Sequence, residues 1–371
     1  MTEITLPTTF ENKIGEDKRI NLLVIGAGGT GGYLVPNLAR AVSLKNKQRE
    51  LNHLPPHSMT LMDADEVELK NLNRQNFTRQ DIGKNKAEVL AQRYSRAFST
   101  DINFIADYLE STEDLVDIFN EIGSTNYMNP DRILPYVYGS VTVVVDCVDN
   151  IKTRHFIKEA MNKLPTTDFW YISSGNEERA GQVVISHKGE GEPKQQDKID
   201  LHEKHANEDY KKLFIDLDVS TPDVIDIFQE SMKPTDKLPG EMSCAEHAVS
   251  SPQNISANIM ASTYLFSILN KMLSNEPITE LMIMFDSKNL STKTYYNQTS
   301  DMASMMELEG KANPYMLDFF SKTYLNLRYS RTVVTKMKEE LKRRKEETSS
   351  LKFTPSNELV EEEQLEDYVE A

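Results

Sequence analysis

The short apolar run Ile20 to Ile25 (INLLVI) stops abruptly on Gly26-Ala27-Gly28-Gly29-Thr30-Gly31, and this junction constrains the fold more than any other part of the chain. An uninterrupted run of branched apolar residues reads as a strand buried on both faces, the kind found in parallel sheets. Glycines directly after it let the backbone turn tightly. A helix opening at that point presents free N–H groups and its positive dipole end to an anion. Leu34, Leu38, Val42 and Leu44 are then expected against the sheet. Taken alone, such a turn suits NAD, FAD or ATP equally.

Further along, a second strand is expected near Met59, ending at Asp63 to Asp65, and a helix over Lys84 to Phe98 with Ala87, Leu90, Ala91 and Tyr94 on one face. A strand near Ile102 to Ile105 and a helix near Leu115 to Ile122 come next, followed by the strand Val141 to Val145, which runs into Asp146 and Asp149. Strands Phe169 to Ser173 and Gln182 to Ser186 flank Ser174-Gly175-Asn176 and a turn ending at Gly181. A helix over Asn254 to Leu273, with Ile255, Ile259, Tyr264, Ile268 and Met272 available to a core, precedes a strand at Leu281 to Phe285. This order implies an α/β fold with a doubly wound, mostly parallel, Rossmann-like sheet, whose ligand crevice lies beyond the strand C-termini. The expected organisation is an N-terminal arm (1–19), a nucleotide-binding core (20–186), a polar crossover connection (187–240), a C-terminal part of the same domain (241–330), and a charged helix with an acidic tail (331–371).

Composition narrows the partners. With 39% hydrophobic and 27% charged residues, the 371-residue chain belongs among soluble globular proteins. It contains no window near the roughly 18 apolar residues of a membrane span, and its N-terminus lacks an apolar signal core, so the expectation is a cytoplasmic protein without a membrane partner. A net charge of -16 argues against nucleic acid, which needs a concentrated basic surface. The basic segment 331–345 reads as a solvated helix, and the residues from Glu358 onward as a loose acidic tail. Cys147 and Cys244, the two cysteines, are too far apart for a CxxC pair, so no structural zinc is expected. His202 and His205 read as exposed residues rather than metal ligands.

Three groups of polar residues fall at the strand ends. Asp63 and Asp65 are placed to accept hydrogen bonds from ribose hydroxyls. Arg74 and Lys86, with Asn71 and Gln75 beside them, have no role in a dehydrogenase, whereas two cations near a glycine turn suit a triphosphate whose leaving pyrophosphate gathers charge. In Asp146-Cys147-Val148-Asp149-Asn150 and Arg154, Asp149 is the expected magnesium ligand, Asp146 the residue that caps the turn, and Cys147 packing.

In this order, Gly-x-Gly-Gly-x-Gly, an acidic strand end, Asn71-x-x-Arg74-Gln75, Lys86 and Asp146-Cys147-x-Asp149-Asn150-x-x-x-Arg154 resemble the family of ThiF, MoeB and the ubiquitin-activating E1 enzymes over about residues 20 to 290. Gly28-Gly29-Thr30-Gly31-Gly32, Trp170 to Gly175, Gly181-Gln182-Val183 and Ser243-Cys244-Ala245-Glu246 look most like ThiF-like proteins of plasmid-borne PRTRC clusters and related mobile elements. The resemblance implies an E1/ThiF-type adenylation domain and transfer of AMP from ATP and Mg2+ to the C-terminal carboxylate of a ubiquitin-like or sulfur-carrier protein. It implies a homodimer too. By the same resemblance Gly26, Gly28, Gly29, Gly31, Asp63, Asp65, Asn71, Gln75 and Asn150 would hold the nucleotide. Arg74, Lys86 and Asp149 would serve the transfer, and Cys244 would take the acyl group as a thioester, against the plainer reading of a small residue at a helix start. A helix N-terminus and His247 favour its thiolate; Glu241 and Glu246 oppose it. The chain departs from the family in lacking the N-terminal Arg-Gln segment before Ile20 and the paired-cysteine zinc site. A NAD- or FAD-dependent oxidoreductase and a non-catalytic nucleotide-binding scaffold are the competing expectations.

Overall fold

The computed structural model describes residues 14–123, 139–164, 169–188, 221–229, 231–233 and 254–297, four single positions between 301 and 308, and the backbone of short strands at 9–11, 214–216, 351–353 and 359–361. Strand β1 (Thr9–Glu11) runs parallel to β8 (Phe214–Asp216). Eight other strands form one sheet: β2 (Arg19–Ile25), β3 (Ser58–Met62), β4 (Asn103–Ile105), β5 (Ser140–Asp146), β6 (Phe169–Asn176), β7 (Ala180–Lys188), β9 (Glu280–Asp286) and β10 (Ser291–Tyr296). Their order is β10-β9-β7-β6-β5-β2-β3-β4. From β4 to β6 the pairs are parallel, and from β6 to β10 they are antiparallel.

The sheet is covered on both faces, which is why its central strands are mostly apolar. Leu22 and Val24 of β2 face α1 (Gly29–Leu51), α2 (Lys86–Phe98) and α6 (Ile255–Leu273). Leu23 and Ile25 face α3 (Thr112–Gly123), α4 (Ile151–Lys163) and the single turn α5 (Val224–Ile227). Strand order reverses between β2 and β5, so a crevice opens beyond their C-terminal ends. Register makes those ends coincide: Ile25 lies opposite Met62 on one side and Asp146 on the other. The residues that follow, Gly26, Asp63 and Cys147, therefore meet.

Several expectations change. Leu44 is 57% exposed, because the face of α1 that meets the sheet runs through Leu34, Leu38 and Val42. Ile255 and Ile259 also point outward, and α6 instead buries Ala257, Asn258, Ala261, Leu265 and Leu269 besides Ile268 and Met272. Ser174, Gly175 and Asn176 extend β6, paired with Val183, Gln182 and Gly181, rather than lying between the two strands. Within the C-terminal tail, β11 (Leu351–Phe353) pairs with β12 (Leu359–Glu361). Most of the 187–240 connection, His202, His205, Glu241, Cys244, Glu246, His247 and the basic 331–345 segment lie outside the described residues. Among those described, no helix is long and apolar enough to cross a membrane.

Candidate functional site

The glycine turn is locked by three strand ends. Gly26 N–H donates to Met62 O at 2.8 Å, and Cys147 N–H donates to Ile25 O at 2.8 Å. Gly26 has φ +94°, and a Cβ there would sit 2.8 Å from Cys147 O. At Gly31 a Cβ would lie 1.9 Å from Gly26 O, so the first turn of α1 closes only without a side chain. At Gly29 it would meet the Asn258 side chain at 2.5 Å. Among the described residues no side chain caps Gly28 at the start of α1, and the first turn of the helix holds no acidic residue. A helix start of this kind suits an anion.

Asp63 ties this turn to β3. Its Oδ2 accepts from Ala27 N–H at 2.7 Å and its Oδ1 from Asp65 N–H at 2.9 Å. Burial raises the Asp63 carboxyl above the ordinary range, an effect opposed by Lys86 and by those two N–H groups. Asp65 is the more open carboxylate, with its side chain 47% exposed. Its Oδ2 accepts from Lys86 Nζ at 2.7 Å and its Oδ1 from the Tyr108 hydroxyl at 2.9 Å. Lys86 stands at the first position of α2, whose N-cap Asn85 donates to Asp63 O at 2.7 Å and accepts from Glu88 N–H at 2.9 Å.

A short 3-10 turn, Leu69–Asn73, carries the next group. Buried Asn71 holds it by accepting from Glu68 N–H at 2.8 Å, and its carbonyl accepts from Gln75 N–H at 2.8 Å. Gln75 is buried beside the glycine turn, its Nε2 3.5 Å from where a Gly28 Cβ would be. Its Oε1 is buried without a hydrogen-bond partner among the described residues. That orphan acceptor and the uncapped helix start both fit a ligand carrying donors and phosphate. Arg74 caps the 3-10 turn, half-buried.

At the end of β5, Asp146 is fully buried. It accepts from the Tyr171 hydroxyl at 2.9 Å, Ser173 Oγ at 2.8 Å and Val148 N–H at 2.9 Å, so it does cap the turn. Arg154 Nε lies 3.1 Å from its Oδ2, and Arg154 Nη2 donates to Val148 O and Ser174 O. Burial works against the Arg154 charge, but Asp146, Tyr171, Asp149 and Cys147 together hold the guanidinium above its usual pKa. Burial likewise pushes the Cys147 thiol up, as suits a packing residue. Asn150 caps α4, accepting from Thr153 N–H at 3.0 Å. Asp149 is exposed beside it. No three His, Cys, Asp or Glu side chains gather among the described residues, so a magnesium ion on Asp149 would complete its shell with phosphate oxygens and water.

The connection from β3 to α2, the glycine turn and the loop after β5 thus place the expected site residues beyond the C-terminal ends of β2, β3 and β5; Cys244 lies outside the described residues. Sequence reasoning missed Tyr108, Asn176 and Asn258. Asn258 Oδ1 accepts from Asn176 Nδ2, and its own Nδ2 lies 3.5 Å from Arg74 O. A fully buried Asn on the apolar face of α6 was the one signal available for it.

The family model for ThiF matches residues 4–307, most of the chain. Ubiquitin-like modifier-activating enzyme 5 of Culex quinquefasciatus is 27% identical over 172 residues, 46% of this chain and 38% of that protein. The enzyme of the same name from Aedes aegypti is 27% identical over 168 residues, 44% of this chain and 36% of that protein. The chain therefore covers well under half the length of these curated relatives. Among solved structures, E. coli MccB with ATP gives a TM-score of 0.44 at 16% identity, over 75% of this chain and 63% of that one. PaaA gives 0.43 at 12% identity, over 76% and 65%. Likeness at that level leaves the fold to be read from this chain's own strand order. The match over residues 4–307 settles the family: the chain belongs to the ThiF family.

Proposed function

We propose that this chain is an ATP-dependent adenylyltransferase that activates the C-terminal carboxylate of a ubiquitin-like or sulfur-carrier protein. The observation that carries the reading is the uncapped start of α1 at the strand switch point, with Asp65, Arg74, Lys86 and Asp149 beyond the same strand ends. A dinucleotide oxidoreductase needs the glycine turn but not those cations or Asp149. In this reading the N–H groups of Gly28 to Gly31 receive phosphate oxygens, and Asp65 accepts from the ribose. Asn71 and Gln75 hold the 3-10 turn that carries Arg74. Arg74 and Lys86 neutralise charge on the departing pyrophosphate, Lys86 while keeping its contact with Asp65. Asp149 holds magnesium.

The carrier carboxylate is already an anion at neutral pH, so the chain supplies alignment and charge rather than a base. Its oxygen attacks the α-phosphorus, the α–β bridging bond breaks, and pyrophosphate leaves. For Cys244 we propose a second step, in which its thiolate displaces AMP to give a thioester. We further propose a cytoplasmic homodimer acting on neither nucleic acid nor membrane; light scattering would test the dimer.

Pyrophosphate exchange into ATP, with a small glycine-ending carrier present, tests the transfer. Asp149→Ala and Arg74→Ala should each lower exchange at least about 100-fold with unchanged thermal unfolding. Unaltered exchange in both variants would defeat the assignment. Cys244→Ala should keep exchange and lose a reductant-sensitive carrier adduct, and an unmodified protein that forms no such adduct would remove the thioester step.

A further inference from the structure

Tyr108 lies in the loop between β4 and α3 with its side chain exposed, and its hydroxyl donates to Asp65 Oδ1 at 2.9 Å from 43 residues along the chain. The other carboxylate oxygen accepts from Lys86 Nζ at 2.7 Å, and Lys86 is itself buried. An exposed carboxylate held at one oxygen keeps several orientations. Two donors, one on each oxygen, narrow that choice towards a single orientation. Burial and the neighbouring Asp65 charge push the phenol pKa up to about 12, so the hydroxyl stays a donor at neutral pH.

We propose that Tyr108 is a positioning residue for the sugar of a nucleoside triphosphate: its hydroxyl fixes the Asp65 carboxylate to receive the ribose diol. This rests on the nucleotide reading of the site given above and adds a residue that no motif in the chain points to. The gain comes through a prepaid ordering cost, since an acceptor already fixed loses little freedom when ligand arrives. The consequence is selective. Removing the hydroxyl should matter only to a ligand that has the diol.

Calorimetric titration of the full chain and of Tyr108→Phe with Mg2+ and either ATP or 2′,3′-dideoxy-ATP tests this. The variant should bind ATP about 5- to 10-fold more weakly, the loss of one hydrogen bond to a charged group, and dideoxy-ATP with unchanged affinity. In an Asp65→Ala background, which removes the acceptor, the Phe substitution should add nothing. An equal loss for both nucleotides would overturn the proposal in favour of a general packing role. ATP binding that is unchanged or tighter in Tyr108→Phe would overturn it as well. If the unmodified chain binds dideoxy-ATP but not ATP any more tightly, the ribose contact fails while the phosphate site survives. An unmodified chain that binds neither would overturn the nucleotide site and this inference together.

Discussion

Gly31 and Gly28 sit three residues apart in one motif and answer to different constraints. A Cβ on Gly31 would lie 1.9 Å from Gly26 O, whereas one on Gly28 would meet only Gln75 Nε2, at an ordinary 3.5 Å. Gly31→Ala should therefore cost at least about 3 kcal/mol of stability by forcing the backbone apart, and Gly28→Ala less than about 1 kcal/mol. Urea unfolding of the two variants checks this, and equal midpoints would contradict it. The spacing of Gly26 to Gly31 was enough to mark the turn because a motif is local in sequence. It did not reveal what each glycine touches: Cys147 O and the Asn258 amide arrive from elsewhere in the fold. For the same reason Asp65 and Lys86 were readable as site residues, while Tyr108 was not. Its link to Asp65 exists only because β4 pairs with β3 and delivers the following loop to that strand end.

Among the elements, the start of β3 is joined to β2 and α1 through His57. His57 Nδ1 accepts from Ile20 N–H at 3.0 Å, which requires the neutral ring, and the His57 backbone N–H donates to Asn46 Oδ1 at 2.7 Å. Burial, then the charges of Arg49, Arg19 and Lys45, lower its pKa to about 3. An unfolded histidine titrates near 6.5, so between those values the unfolded chain binds the extra proton. Stability from this group is present above about pH 6.5 and drains as pH falls towards 3, by up to about 1.4 kcal/mol per pH unit. Urea unfolding at pH 7 and pH 5 should show a shallower pH slope for His57→Gln than for the unmodified chain; identical slopes would contradict the neutral-ring contact. Elements were legible where apolar residues kept to one face, as in α2. They were harder to read in α6, where Ile255 and Ile259 on the outer face equal the buried ones in hydropathy. Its true inner face near the turn is made of small residues, Ala257, Asn258 and Ala261, that let the helix approach the glycines and Phe285. Strand β10 was missed because STKTYY holds little to bury, and it lies at the sheet's edge.

At the scale of the whole molecule, a chain of net charge -16 repels a polyanion in general. A triphosphate can be held only where cations and backbone N–H groups are concentrated. The switch point between β2 and β5 is such a place, since register aligns Ile25, Met62 and Asp146 and gathers the loops that follow them. The doubly wound order was legible from alternating strands and helices; the antiparallel half from β6 to β10 was not, because nothing in one strand's composition records its direction. The most direct test is calorimetric titration of the intact protein with ATP, AMP and NAD in the presence of Mg2+. A triphosphate site built on residues 26–31, Arg74 and Asp149 predicts ATP binding at least about tenfold tighter than AMP, a difference of about 1.4 kcal/mol or more, with no saturable NAD binding and no ATP preference left in Arg74→Ala. Equal affinity for ATP and AMP, or tighter binding of NAD, would contradict it.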